Sequence, residues 1–277
     1  MAEASHEYAS ARRVLLDALE ALDTQRDAII VVGAQAVYLR TRDAGIVGVA
    51  PYTTDADLTL LPSQLADTPH IDDSLRNAGF VQKGDPGIWF KSVDGDGPDI
   101  ELDVMVAEAF APGRGRRSVS LPPHDKLLAR RAEGLEGAMI DNDHLEIAAL
   151  EDGDPRRFTV RVAGAAALVI AKSYKIRDRL AADKQDRITE KDAADVYRIM
   201  IGEPVSAFVA RCRPLLGDYI AGPACRAGIV LMEELFGRRG RKGVAMAIES
   251  LRVAVPAERV AGVMTTFVSE VLAELGA

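Results

Sequence analysis

Along the first part of the chain the apolar positions change period twice. Val14, Leu15, Ala18, Leu19 and Leu22 recur at helical spacing, which predicts an amphipathic helix over residues 8–23. The β-branched run at 29–32 is too short for a helix and is bounded by Gly33. Residues 34–39 return to helix-forming composition, so the expected order is strand, turn, helix. Residues 54–60 alternate as a strand does, and further strands are expected at 88–92, 99–106, 144–150 and 157–162, with a helix over 63–78. Gly153 and Asp154 mark the turn between the last two strands. From Gly164 onward nearly every segment carries helical periodicity, as in "GAAALVIAKSYKIRDRL" and "TEKDAADVYRIMIG". The expected architecture is α/β in the broad sense (α+β), with a mixed-sheet domain over residues 1–163 and a helical bundle over residues 164–277.

Composition narrows the function. With 277 residues, 48% hydrophobic and 27% charged, the chain can bury a sizeable core, which excludes a disordered polymer. A net charge of −8 excludes a generally basic coat for nucleic acid, so a polyanion must find a local patch. Two such patches stand out: Arg114, Arg116 and Arg117 in "GRGRR", and Arg238, Arg239, Arg241 and Lys242 in "GRRGRK"; solvated loops are the ordinary alternative for both. No aromatic interleaves with them, and Trp89 reads as a core residue rather than a stacking platform. Cys212 and Cys225 form no CxxC, and the four histidines lack ligand spacing, which argues against structural zinc and for a reducing compartment. The start of the chain lacks the features of a signal peptide and no run approaches the ~18 apolar residues of a span, so a cytoplasmic protein without a membrane partner is expected.

The chemistry concentrates in "YTTDADLTLL" and "DIELDVMVAE". On a strand Asp55 and Asp57 project from one face while Ala56, Leu58 and Leu60 point the other way. Two carboxylates in one small volume repel, and a divalent cation relieves the repulsion; an oxygen-only ligand set suits Mg2+ or Mn2+. Asp103, flanked by Leu102 and Val104, supplies a third ligand from a neighbouring strand, with Glu101 on the same face as its competitor. Gly33 answers the carboxylates from the other side. A glycine at a strand-to-helix turn lets backbone amides approach an anion, so Gly33, Ala34 and Gln35 are expected to meet phosphates that the aspartate-held metal neutralises. In such a site metal ions activate an attacking hydroxyl and stabilise departing pyrophosphate.

In these positions the chain resembles the DNA polymerase β-like nucleotidyltransferase superfamily, whose signature is an apolar strand ending in Gly-Gly or Gly-Ser, a helix, Asp-x-Asp and a later strand aspartate. The matching residues are Gly33, Asp55, Asp57 and Asp103; Ala34 and Gln35 follow the glycine instead of a second glycine or serine, and "TRDAGIVGVAP" lengthens the gap to Asp55. The segment "AKSYKIRDRLAADKQDRITEKDAADVYRIM" is similar to the C-terminal motif of AbiEii-type (MenT-like) toxin nucleotidyltransferases, in which a lysine, an arginine seven residues on and a basic-Asp-x-x-Asp element lie on consecutive helices. Lys172 and Arg179 have that spacing, and Lys191, Asp192 and Asp195 match the later element. The resemblance implies catalytic roles for Lys172 and Asp192 beside the three strand aspartates, and nucleotide contacts from Lys175, Arg179 and Asp195. It further implies an NTP substrate, a tRNA 3′ end as acceptor and a cognate antitoxin as partner. Two other functions share these residues: a small-molecule transferase of the aminoglycoside type, and a nucleotide-binding module without catalysis.

Overall fold

Strand β1 (Ile29–Val31) is wholly buried, and the sheet is built outward from it. On one side lies β2 (Asp55–Leu60), antiparallel to β1, with Ile30 opposite Thr59. Next comes β5 (Ile100–Ala107), parallel to β2, with Asp57 opposite Asp103. The outer edge of β5 is shared between two partners. Its first half pairs with antiparallel β4 (Ile88–Lys91), which carries β3 (Val81–Gln82); its second half pairs with parallel β7 (Ala129–Ala132), which carries β6 (Ser118–Val119). On the other side β1 runs parallel to β9 (Arg157–Ala163), whose neighbour is β8 (Asn142–Ala148). The sheet is therefore mixed, and helices fill the C-terminal half, giving the α/β class that the periodicity predicts.

The computed structural model describes residues 5–41, 52–93, 98–111, 117–182 and 190–276, so Arg114 and Arg116 lie outside the described residues. Two units divide the chain. The first comprises Met1–Gln35, Ala50–Ala132 and Asn142–Val162, and the second comprises Ala36–Val49, Glu133–Asp141 and Ala163–Ala277. The sequence suggests a single cut after residue 163; the structure interleaves the units, passing the division through helix α2 (Gly33–Arg40).

In the first unit α1 (His6–Ala21) packs against β2 and β5, and Ser5 caps it by accepting from the Tyr8 N–H at 3.3 Å. Every residue of β2 after Asp55 is buried, as expected for a central strand covered on both faces. Trp89 is fully buried in β4 and donates its indole N–H to Leu128 O at 3.1 Å, a core residue as its flanks suggest. The helix expected over 63–78 is shorter. A 3-10 turn at Pro62–Gln64 comes first, and α3 (Ile71–Asn77) starts only after Pro69, because proline lacks an N–H for the preceding turn and disfavours helical backbone in Thr68.

The second unit is helical: α4 (Ala165–Ala181), α5 (Lys191–Gly202), α6 (Val205–Gly217), α7 (Gly222–Phe236), α8 (Lys242–Leu251) and α9 (Ala257–Leu275). Helix α4 packs on α5 and α7, α5 also on α8, and α6 on α9. A Cβ added at Gly228 would stand 2.5 Å from Ile170 Cγ2, so the small residue sets how closely α4 and α7 approach. Cys212 and Cys225 are buried and free, and burial pushes both thiols up to about 12, which makes them inert. Among the described residues no helix is long and apolar enough to cross a membrane.

Gly87 ties β4, β5 and β7 together. Its N–H donates to Leu127 O at 2.9 Å, and its carbonyl accepts from Val104 N at 2.8 Å. With φ at +77° and a would-be Cβ falling on Val104 O and 2.7 Å from Arg130 N, only glycine fits. Gly87→Ala is expected to lower the unfolding free energy by about 2 kcal/mol or more, read as a lower urea midpoint; an unshifted midpoint would mean that the three-strand junction is not held there.

Candidate active site

Because β2 and β5 are parallel and in register, residues opposite one another share a face. Asp57 stands beside Asp103 and Asp55 beside Glu101, four carboxylates on one side of two central strands. Asp57 and Asp103 are each only 6% exposed, and Asp55 is half-buried. Tyr52 and Thr53 lead into β2, and the buried Thr53 hydroxyl donates to Asp55 Oδ1. The cation opposite Asp103 is Arg130 of β7. Its Nε donates to Asp103 Oδ1 at 2.8 Å and its second guanidinium nitrogen to Oδ2, a two-pronged bond. Burial works against the Arg130 charge. The hydrogen bonds and charge of Asp103, with Asp57 and Glu101 behind it, outweigh burial and hold its pKa above the ordinary arginine value.

This pairing changes the expected ligand set. Among the described residues no group of three or more His, Cys, Asp or Glu side chains is placed to hold a metal ion, and both oxygens of Asp103, the expected third ligand, are taken by Arg130. The four carboxylates of the face are hard oxygen donors of the kind that Mg2+ or Mn2+ takes.

Gly33 opens α2 at φ +68°, and Val32 N donates to Asp57 O at 3.1 Å, so the turn is pinned to β2. A Cβ there would fall inside the Asp57 carboxylate, its Cγ only 2.5 Å away. The glycine is thus required by Asp57 itself, before any phosphate is considered. Gln35 departs from the expected nucleotide contact. Its side chain is fully buried, donating from Nε2 to Ala11 O at 3.0 Å and Asp55 O at 3.2 Å while Oε1 accepts from Arg12 Nε at 2.8 Å. It clamps α1 and the start of β2; Arg12 extends the clamp to Ala148 O and the Tyr8 hydroxyl. The Ala34 side chain is buried too, so any contact of these residues with an anion falls to backbone amides.

The second unit has its own ionic centre. Lys172 of α4 donates to Asp192 Oδ1 at 2.6 Å and Asp195 Oδ2 at 2.7 Å, and all three are at most 4% exposed. Arg179, two turns along α4, holds the other Asp192 oxygen, and Lys175 Nζ lies 3.9 Å from Oδ1. The spacings of three and seven on α4, and of three on α5, put these groups on facing stripes. Complete burial would drive the Lys172 amine toward neutrality, but the charges of Asp192 and Asp195 prevail and hold it far above the usual lysine value. Burial likewise opposes the Asp192 charge, yet Lys172, Lys175 and Arg179 keep it well below the carboxylate range. The sequence assigns Lys172 and Asp192 to catalysis and Asp195 to nucleotide binding; the structure engages all three with one another, out of solvent, while Lys175 and Arg179 keep partial exposure.

Two participants escape sequence reading. Arg130 sits in "LLARRAEG", a four-residue strand without β-branched residues, so nothing flags it as strand. Arg12 is different: it precedes Leu15, Leu16 and Leu19 by three, four and seven residues, and a charge on that apolar stripe signals a buried partner. Comparison of the chain with models of known protein families, with curated proteins and with solved structures gives no match.

The buried centre has a defined pH signature. Asp192 is depressed, so its contribution is complete above the unfolded value of ~3.9 and is lost as pH falls through the folded value. Lys172 is raised, so its contribution persists up to ~10.4 and fades only above it. Thermal melts are expected to hold level from pH 6 to 9 and to fall below about pH 4, with a shallower acid limb in Asp192→Asn. Lys172→Met alone is expected to cost roughly 3–5 kcal/mol by stranding two carboxylates, and the further change of Asp192 and Asp195 to Asn to recover part of it; equal melts for single and triple variants would refute that coupling.

Proposed function

We propose that this chain is a metal-dependent nucleotidyltransferase that moves a nucleoside monophosphate from an NTP to an acceptor hydroxyl. The observation that supports this best is Asp57 beside Asp103 on parallel central strands, with the Gly33 turn of α2 packed against the Asp57 carboxylate. A lone aspartate pair is common, but buried like charges under a helix N-terminus are costly to assemble unless a cation and an anion are meant to meet there.

Asp55, Asp57 and Asp103 would hold Mg2+ or Mn2+. When bound, the ion would supply charge neutralisation for the triphosphate and a lowered pKa for the attacking hydroxyl. The chain's own residues do the rest. Thr53 and the Gln35 clamp fix Asp55 through its side chain and its carbonyl. Burial of Asp57 keeps bulk water from its carboxylate. In the helical unit the buried Lys172–Asp192–Asp195 centre fixes the helices that carry Lys175 and Arg179.

The acceptor in this reading is the 3′ end of a tRNA, and the biological setting a toxin restrained by a separate antitoxin protein. Arg238, Arg239, Arg241 and Lys242 are exposed at the start of α8, where they give an otherwise acidic chain a place for an RNA backbone. Arg239 already carries Glu258 as its partner, so it holds the weakest claim of the four.

Two measurements test the reading. With labelled NTPs, magnesium and total RNA, the wild-type chain is expected to label a tRNA-sized band, and Asp57→Asn to reduce labelling by roughly 100-fold or more while melting as the wild type does. Alanine at Arg238, Arg241 and Lys242 is expected to weaken RNA labelling and flatten its salt dependence by about two to three phosphate contacts. Undiminished labelling by Asp57→Asn would exclude the mechanism; labelling of a small amino alcohol but not RNA would exclude the acceptor.

A further inference from the structure

A row of five residues crosses the sheet beside the carboxylates. Arg130 lies opposite Met105, Met105 opposite Thr59, Thr59 opposite Ile30 and Ile30 opposite Arg161, so all five side chains share one face. Asp57 and Asp103 form the next row on that face, two residues earlier in each strand. An arginine therefore stands at each end of the row, Arg130 on β7 and Arg161 on β9. Strand spacing puts the Arg161 backbone about 10 Å across and about 7 Å along from that of Asp57, too far for the two side chains to pair closely.

The two arginines differ in their partners. Arg130 grips Asp103 with two prongs. Arg161 is half-buried, its Nε is shut off from solvent with no hydrogen-bond partner, and among the described residues no carboxylate pairs with its guanidinium. Thr59, fully buried in the middle of the row, has a hydroxyl in the same condition. Arg157, on the same face of β9, is neutralised by Glu146 at 2.8 Å, and the part-buried Arg156 and Arg211 hold Asp17 and Asp141. With 42 acidic residues against 34 basic ones, the chain has carboxylates in excess. An arginine left unpaired under partial cover is therefore a cost that folding does not explain.

We infer that Arg161 is an anion-binding residue, whose guanidinium takes phosphate oxygens of a ligand lying across the face between the carboxylates and β9. Its planar fork matches two phosphate oxygens, and partial burial strengthens such a bond relative to water. The phosphate has two sources, the triphosphate of a nucleotide and the backbone of an RNA acceptor, and both come to this face if transfer takes place at the aspartates. In that respect the inference rests on the transferase reading; the unpaired guanidinium does not.

Binding is read without turnover in the full-length chain, for wild type, Arg161→Met and Arg161→Gln. The probes are inorganic tripolyphosphate, followed by calorimetry, and a fluorescein-labelled single-stranded RNA, followed by anisotropy at several salt concentrations. Loss of one charge-assisted contact is expected to weaken the affected probe by roughly tenfold in both variants. Weakened tripolyphosphate identifies the nucleotide as the source; weakened RNA, with a salt slope shallower by about one phosphate contact, identifies the acceptor. Because the buried nitrogen is uncompensated without ligand, Arg161→Met is expected to unfold at a urea midpoint no lower than that of the wild type. Unchanged affinity for both probes in the variants overturns the proposal, as does a wild-type chain that binds neither; unchanged affinity with a lowered midpoint leaves Arg161 a structural residue. If Arg161→Met does not fold, Arg161→Gln decides by the same readings. The two readings fail separately: weakened tripolyphosphate in the variants without any NTP transfer by the wild type keeps the anion site and removes the transferase, whereas transfer by the wild type with unchanged affinities in the variants does the reverse.

Discussion

Two buried carboxylates side by side on a sheet constrain everything around them. Asp57 and Asp103 are brought together by the register of β2 and β5, and neither can move without shifting a central strand. Like charges on neighbouring buried positions repel once water is excluded, so the pair needs compensating charge nearby. The neighbouring features read as responses to this constraint. Arg130 supplies a cation from the adjoining strand, Gly33 withdraws a side chain that would strike the carboxylate, and the N-terminus of α2 adds partial positive charge. Gln35, seated under the same turn, holds the Asp55 carbonyl so that the strand enters the site at one depth.

The helical unit solves the same electrostatic problem with the signs arranged differently. Asp192 and Asp195 also sit close together and buried, but Lys172 lies between them and Arg179 and Lys175 attend from the same helix face. There the Lys172 amine is enclosed with both carboxylates, and the centre acts as a lock between α4 and α5. On the sheet the cation beside the two aspartates is Arg130, on the adjoining strand, and it holds Asp103 with two prongs.

The sequence by itself determined the periodic elements and the carboxylate set. Alternation in residues 54–60 and 99–106 placed Asp55, Asp57, Glu101 and Asp103 on strand faces, and the spacing of Lys172, Lys175 and Arg179 placed them on one helix stripe, since both facts follow from the geometry of a single element. It also led Gln35 to be read as a nucleotide contact and, through the resemblance, Lys172 as a catalytic residue, without signalling that both side chains are buried, because exposure is not a local property. Only the tertiary structure decided those. The clamp of Gln35 joins residues 24 and 20 positions apart, Lys172 meets carboxylates 20 and 23 positions on, and Arg130 reaches Asp103 across 27. No local pattern encodes which strand lies beside β5 or in what register. That choice is made by the packing of the whole sheet, and it brings the cation and the carboxylates into one place.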